Sequence, residues 1–399
     1  MILLVFSSTC FTADWSFNPE LDISSGYNSN VFFTSKNKIT DYETIFTPKA
    51  YIIGRTERTE LKTDLSVIIE KYFEHSNLDM VNSDNTITLT YQATPRFSTS
   101  ISTFFKKDDT LTTELKRAGL AEVRKDRFKY GFDFSGTYFF SDKFSMQVSG
   151  GGQFNVYPDG PYPDLDLWQA SINNTYQFNT KYSIGFLVNF TDAQFEESGE
   201  IKTASGYLFL RRDLTEKTYI TGGIGYRYTK TEYEVTTLRL FINPENPNIG
   251  IFIPITEKET SEDTGLIYTF SLNNDWTSRF STILEVSKEH YNSIDARSID
   301  HTYIRAKFKY KLTERAHINY TLSYDTNDYE ETKYLPEETR DYIRIMPYFS
   351  YNITKNLVLI LRSSYEYSNS EIGDISYSRN RFKTFFMVKY RWERLFSSY

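Results

Sequence analysis

The chain has 399 residues, of which 17% are aromatic and 24% charged, with a formal net charge of −7 and a mean hydropathy of −0.49. No stretch approaches the ~18 consecutive apolar residues a membrane-spanning helix needs, which excludes a helical membrane protein. The 32 Phe and 32 Tyr exclude a disordered chain, and the acidic balance excludes nucleic acid as the main partner.

Residues 2–6 are apolar and are followed by small residues up to Ala13. This pattern predicts a signal peptide over 1–13 and export of the remainder, 14–399, as one β-barrel. The single cysteine, Cys10, lies inside that leader. Neither a disulfide within the chain nor a cysteine-based metal site is therefore expected.

From residue 14 onward, apolar and polar residues alternate with period 2, the signature of strands with two different faces. The alternation predicts strands over 16–27, 42–54, 60–73, 85–94, 97–107, 126–140, 143–156, 165–178 and 181–191. It continues over 200–211, 218–229, 264–276, 279–290, 301–312, 315–325, 341–353, 356–368 and 379–392. The clearest case puts Phe128, Tyr130, Phe132, Phe134, Tyr138 and Phe140 on one face and Lys129, Asp133 and Ser135 on the other. Gly150 and Gly152 continue the face of Phe144, Met146 and Phe154, where a missing side chain leaves room for a neighbouring aromatic ring.

The connectors alternate in length. Short basic turns such as Ser141-Asp-Lys-Phe144 and Thr313-Glu-Arg-Ala316 alternate with long polar loops. Together these features predict an all-β fold, a transmembrane antiparallel up-and-down β-barrel of about 18 strands, with short periplasmic turns and long extracellular loops. The apolar face persists for the ~9–11 residues a tilted strand needs to cross the hydrocarbon layer. Aromatics gather near strand ends, as in Tyr138 with Phe140, Tyr176 with Phe178, Tyr226 with Tyr228, and Tyr390 with Trp392. Such rings form interfacial girdles. The setting is the outer membrane of a Gram-negative bacterium, with outer-membrane lipid and lipopolysaccharide as immediate partners.

If the aromatic face meets lipid, the last strands turn inward Arg305, Lys307, Lys309, Lys311, His317, Arg344, Arg362, Lys383, Lys389 and Arg391. Of these, Arg305, Lys307, Lys309, Lys311, Arg344, Arg362, Lys389 and Arg391 are the candidate pore-lining residues. Glu366 and Asp325 are the few acids beside them. Such a wall either concentrates anions or is neutralised by acids on the facing wall, among them Glu60, Asp64, Glu70, Glu285 and Glu289. Loop 230–263 carries Leu238, Leu240, Phe241, Ile251 and Phe252, which predicts either an inward-folded constriction or a surface lid. His75, His290, His301 and His317 are too scattered for a metal site, although His290 and His301 stand near each other on adjacent predicted strands. No Ser/His or Asp/His spacing singles out a catalytic set, so neither enzyme nor cofactor is expected.

Gly26-Tyr27-Asn28-Ser29-Asn30-Val31-Phe32, closing the first strand, resembles the opening motif of the β-barrel porin 2 family. Tyr377-Ser-Arg-Asn-Arg-Phe382 and the turn Ile353-Thr-Lys-Asn-Leu357 resemble its closing hairpin and its turn type. The resemblance implies an outer-membrane channel associated with exopolysaccharide export, with polysaccharide and periplasmic export components as partners. The alternatives are a general or sugar-uptake porin and a non-conducting binding or structural barrel.

Overall fold

A computed structural model describes residues 13–109, 125–158, 162–196, 199–243, 246–292, 297–329 and 336–392 of the protein. The predicted leader lies outside them but for Ala13. Eighteen strands follow in chain order: β1 (Asp14–Asn28), β2 (Asp41–Arg55), β3 (Thr59–Tyr72), β4 (Met80–Thr94), β5 (Phe97–Asp109) and β6 (Asp126–Phe139). Then come β7 (Phe144–Val156), β8 (Leu165–Asn179), β9 (Tyr182–Phe195), β10 (Gly199–Asp213), β11 (Thr218–Asn243) and β12 (Asn246–Asp275). The last six are β13 (Phe280–Asn292), β14 (Ser298–Lys311), β15 (Ala316–Tyr329), β16 (Glu338–Asn352), β17 (Leu357–Ile372) and β18 (Ile375–Arg391).

Each strand pairs antiparallel with its sequence neighbour, and β1 pairs with β18 from Glu20↔Arg391 to Asn28↔Lys383. That last ladder closes the sheet and leaves no edge for lipid to dehydrate. Closure brings the motif glycine, Gly26, against Phe385 of β18. A Cβ there would stand 2.0 Å from the Thr384 carbonyl oxygen, so only glycine fits this part of the seam.

The outward parity carries the apolar residues. Ile224 is 55% exposed, Ile304 52% and Phe386 51%. A belt of this kind round a whole barrel has lipid as its solvent. The rings stack by short steps at the turn end: Tyr138–Phe140 at 4.8 Å, Tyr176–Phe178 at 4.9 Å and Tyr390–Trp392 at 4.8 Å. Gly150 and Gly152 do make room for rings, those of Phe134 and of Phe132 with Trp168. An exterior of this kind on a closed antiparallel barrel with an even strand number is that of an outer-membrane protein.

The eight short turns share one construction. Each begins with Ser, Thr or Asn: Thr56, Thr94, Ser141, Asn179, Thr215, Thr277, Thr313 and Thr354. In every one, that side-chain oxygen accepts a hydrogen bond from the backbone N–H two residues on, at 2.8–3.3 Å. The side chain thus closes the turn in place of the backbone. The carbonyl of the same third residue accepts an N–H from the end of the strand beyond, at 2.7–2.9 Å. The turns are therefore stitched sideways into a rim of equivalent positions.

On the opposite rim most strands outrun their predicted ends. The excess is greatest at the predicted loop 230–263. There β11 and β12 continue as one antiparallel ladder up to Ile242↔Gly250 and Asn243↔Asn246. Pairing of β11 with β10 stops at Tyr233, and pairing of β12 with β13 begins only at Tyr268. Among the described residues the segment is an extended hairpin paired with itself.

Candidate functional site

The inward parity of the strands builds the lumen, and its two halves differ in chemistry. From β4 to β10 the mid-height wall is a carpet of hydroxyls and amides. Cross-strand contacts join Thr88 to Ser102 at 3.0 Å and Ser149 to Ser171 at 2.6 Å, and Gln169 donates to Asp133 at 2.9 Å. A recess of about 820 Å3 opens along this half and reaches the ring of Tyr207. Hydroxyls and amides dominate at mid-height, with the Asp133 carboxylate among them, and charge gathers toward the long-loop rim, where Arg127 binds Asp108 at 2.8–2.9 Å.

From β13 round to β3 the wall is charged. Glu285 of β13 receives Lys307 at 3.2 Å and Arg305 at 3.6 Å, both from β14. Glu20 of β1 receives Lys389 at 2.8 Å and Arg391 at 2.7 Å, and Asp22 receives Lys49 at 2.6 Å. Lys311 pairs with Glu314 at 2.7 Å in the adjoining turn. Five of the eight candidate cations are thus held by acids on neighbouring strands or turns. The expected cross-lumen pairing is not what neutralises them. Glu60 is held within its own wall by Arg55 and Lys62, each at 2.5 Å.

Lys309, Arg344 and Arg362 form no ion pair among the described residues. Arg344 instead lies near the Tyr342 ring, 5.8 Å from its centroid. Arg344 stands opposite Glu366 in the ladder, but that carboxylate is taken by Arg381. For Lys309, register decides. Lys309 faces Ser281 on one side and Asn319 on the other, whereas Arg305 faces Glu285.

The structure places an inward element where the sequence reading did not expect one, in the loop joining β1 to β2. Asn30, Val31 and Phe33 are buried. Phe33 lies edge-on to Tyr342 at 6.1 Å, and the Arg381 guanidinium sits 4.9 Å above its ring. Tyr342 and Arg381 are on the lumen parity of β16 and β18. The loop therefore crosses the inner face from β18 over β17 to β16, two strand spacings or about 10 Å of wall. Asn30 anchors it by donating to the Asn380 carbonyl at 2.9 Å and to the Thr34 carbonyl at 2.8 Å. Beneath it, Arg381 grips Glu366 through Nε at 2.7 Å and through a second guanidinium nitrogen. Phe33 has φ 52°, a left-handed conformation that costs a bulky residue energy and persists because the surrounding contacts hold it. The signal was in the sequence, because Val31-Phe32-Phe33 is an apolar run inside a polar loop.

His290 and His301 do not converge on a metal position. His290 contacts Asp300 at 3.2 Å and Thr229 at 3.2 Å, while His301 contacts Asp325 at 3.2 Å. Among the described residues no cluster of three metal-binding side chains occurs. The Asp300 carboxylate also receives Arg227 at 2.5 Å and Lys288 at 2.8 Å, a knot of charge where the β11–β12 hairpin leaves the wall.

No protein-family model matches the chain, and no curated protein matches it. Solved structures do match in fold. OccK2 (OpdF) of Pseudomonas aeruginosa aligns with a TM-score of 0.50 at 9% identity, over 96% of this chain and 98% of that one. The same protein in complex with glucuronate gives 0.51 at 9% identity, with the same coverage. The ferric-catecholate import receptor Fiu of E. coli K12 gives 0.49 at 8% identity, over 95% of this chain and 82% of that one. What this chain shares with OccK2 is the closed antiparallel outer-membrane barrel.

Proposed function

We propose that the protein is an outer-membrane channel that passes hydrophilic solutes, saccharides foremost, through its lumen. The observation that carries this reading is the inner face, which is polar over most of its height and offers a recess of about 820 Å3 rich in hydroxyls and amides, with an apolar cluster of Leu165, Ala193, Phe195 and Ile201 only toward the long-loop rim. Such groups exchange hydrogen bonds with sugar hydroxyls at little net cost. Barrels of 16–18 strands leave an aqueous channel. Incorporation into planar bilayers should give discrete conductance steps, and proteoliposomes should swell in maltose or glucuronate. Proteoliposomes that stay impermeable to both would overturn the reading.

Within it, we propose export of exopolysaccharide as the physiological task, with polysaccharide and periplasmic export components as partners. The support is the resemblance of Gly26–Phe32 and Tyr377–Phe382 to the β-barrel porin 2 family. Uptake is the second reading, favoured by the fold shared with OccK2, whose solved complex holds glucuronate. A deletion strain separates the two. Loss of surface polysaccharide with unchanged sugar uptake supports export, and the reverse result supports uptake. The eight lining cations are proposed to make the lumen prefer anions, chiefly through the unpaired Lys309, Arg344 and Arg362.

A further inference from the structure

The third position of the short turns is occupied in chain order by Arg58, Arg96, Lys143, Lys181, Lys217, Arg279, Arg315 and Asn356. In the last turn the cation, Lys355, stands one residue earlier. Seven of the eight equivalent positions thus carry a cation, and all seven are exposed. None of the seven forms an ion pair among the described residues. The turn geometry does not call for them. What closes each turn is the side chain of its first residue together with backbone N–H and carbonyl groups, and any residue supplies a backbone.

Position decides which way these charges act. The residue after each third position opens the next strand on the lipid parity, as Phe97 does at 37% exposure. By the period-2 alternation the third position therefore falls on the lumen parity. Lys217 and Arg279 accordingly line a recess of about 640 Å3 at the channel mouth, shared with Lys309, Lys311 and His317. One carboxylate, Asp275, lines that recess, and Glu314 beside it is already bound to Lys311 at 2.7 Å. The other acids of the turns are Glu57, Asp142 and Glu216, each preceding its cation. Successive turns stand two strands apart, about 10 Å. That is close to one Debye length at physiological salt, so neighbouring charges reinforce one another.

We infer that these turn cations form a collar round the periplasmic mouth that captures an acidic polysaccharide, a hydrophilic chain bearing carboxylates along its length. The inference rests on the channel reading and adds to it the charge of the cargo and the side from which the cargo is gathered. A ring of separate point charges suits a flexible polyanion, which meets several at once. It does not suit a small anion, which would meet only one. The collar raises the local concentration of polyanion at the mouth, and the unpaired Lys309 continues the positive surface into the bore.

The test uses the full barrel with Arg58, Arg96, Lys143, Lys181, Lys217, Arg279 and Arg315 all changed to Gln. An oligogalacturonate is the probe, and a malto-oligosaccharide of equal length is the neutral control. In planar bilayers, oligogalacturonate added on the short-turn side should block wild-type current more readily than when added on the long-loop side. The septuple variant should lose that block by on the order of 10-fold in on-rate, while its conductance in symmetric salt stays near wild type. Equal block from both sides of the wild-type channel, or undiminished block in the variant, overturns the inference. So does a variant that keeps full block but loses a preference for anionic over zwitterionic vesicles, because the cations would then serve lipid headgroups. If the barrel conducts no current, the channel reading fails by itself. Oligogalacturonate binding to the detergent-solubilised barrel by calorimetry then still decides the collar, with wild-type binding lost in the septuple variant as the expected result.

Discussion

The two halves of the lumen are built from the same strand geometry and solve different problems. From β4 to β10 the mid-height wall is mostly neutral, and its hydroxyls satisfy one another across strands, as Ser149 and Ser171 do at 2.6 Å. From β13 to β3 the wall is ionic, and several of its acids serve more than one cation, as Glu20 serves Lys389, Arg391 and Lys49. A neutral pair that is lost leaves two groups that water can satisfy. A shared acid that is lost leaves several like charges facing one another. The charged half should therefore be the fragile one and the half that sets ion preference, while the neutral half provides tolerant passage.

The largest effect is expected at Glu20. Glu20→Gln leaves Lys389 and Arg391 without their carboxylate and should cost roughly 3 kcal/mol, read by urea-driven unfolding in lipid vesicles. A cost below that of any serine change in the neutral half would erase the distinction. Next comes Phe33→Ala, which removes a buried ring from the inward loop. It should cost about 3 kcal/mol locally and raise single-channel conductance, because the loop then detaches from Tyr342 and Arg381. Unchanged conductance and noise would mean that the loop does not limit the bore.

Selectivity sharpens the comparison further. Changing both Lys307 and Lys309 to Glu should move the reversal potential in a salt gradient toward cation preference, and no shift would remove the charged wall from the selectivity account. Ser149→Ala in the neutral half should cost no more than about 1 kcal/mol and leave the reversal potential in place. Least of all is expected from deletion of 236–256. That stretch of the hairpin pairs only with itself, and conductance should stay at the wild-type value. An increase would mean that the hairpin enters the bore.

Much of this architecture was legible in the residues, for a physical reason. Alternation such as Phe128 to Phe140 reports two solvents on two faces, and eighteen such segments joined by alternating short and long connectors leave a barrel as the economical solution. The same parity sorted Arg305, Lys307, Lys309 and Lys311 to the inner face. The first residue of each short turn was likewise a local feature, because a Ser, Thr or Asn side chain reaches its own backbone without any tertiary help.

Pairing was not legible, because it depends on which residue of the next strand stands opposite. Arg305 and Lys309 look alike in sequence. One meets Glu285 and the other Ser281, because β13 and β14 pair as they do. The inward element was not legible for a related reason. Both the 230–263 segment and Val31-Phe32-Phe33 are apolar stretches between strands, and composition does not say which finds a partner. Only the closed barrel brings Phe33 within reach of Tyr342 and Arg381, more than 300 residues away in the chain, and gives it a buried site.

What the sequence by itself determined was the set of local alternations: strand faces, strand number and turn chemistry, all carried by contacts within a few residues. Register, ion-pair partners and the loop that occupies the lumen were decided only by tertiary structure. They depend on closure of β1 against β18, which sets every distance across the bore at once.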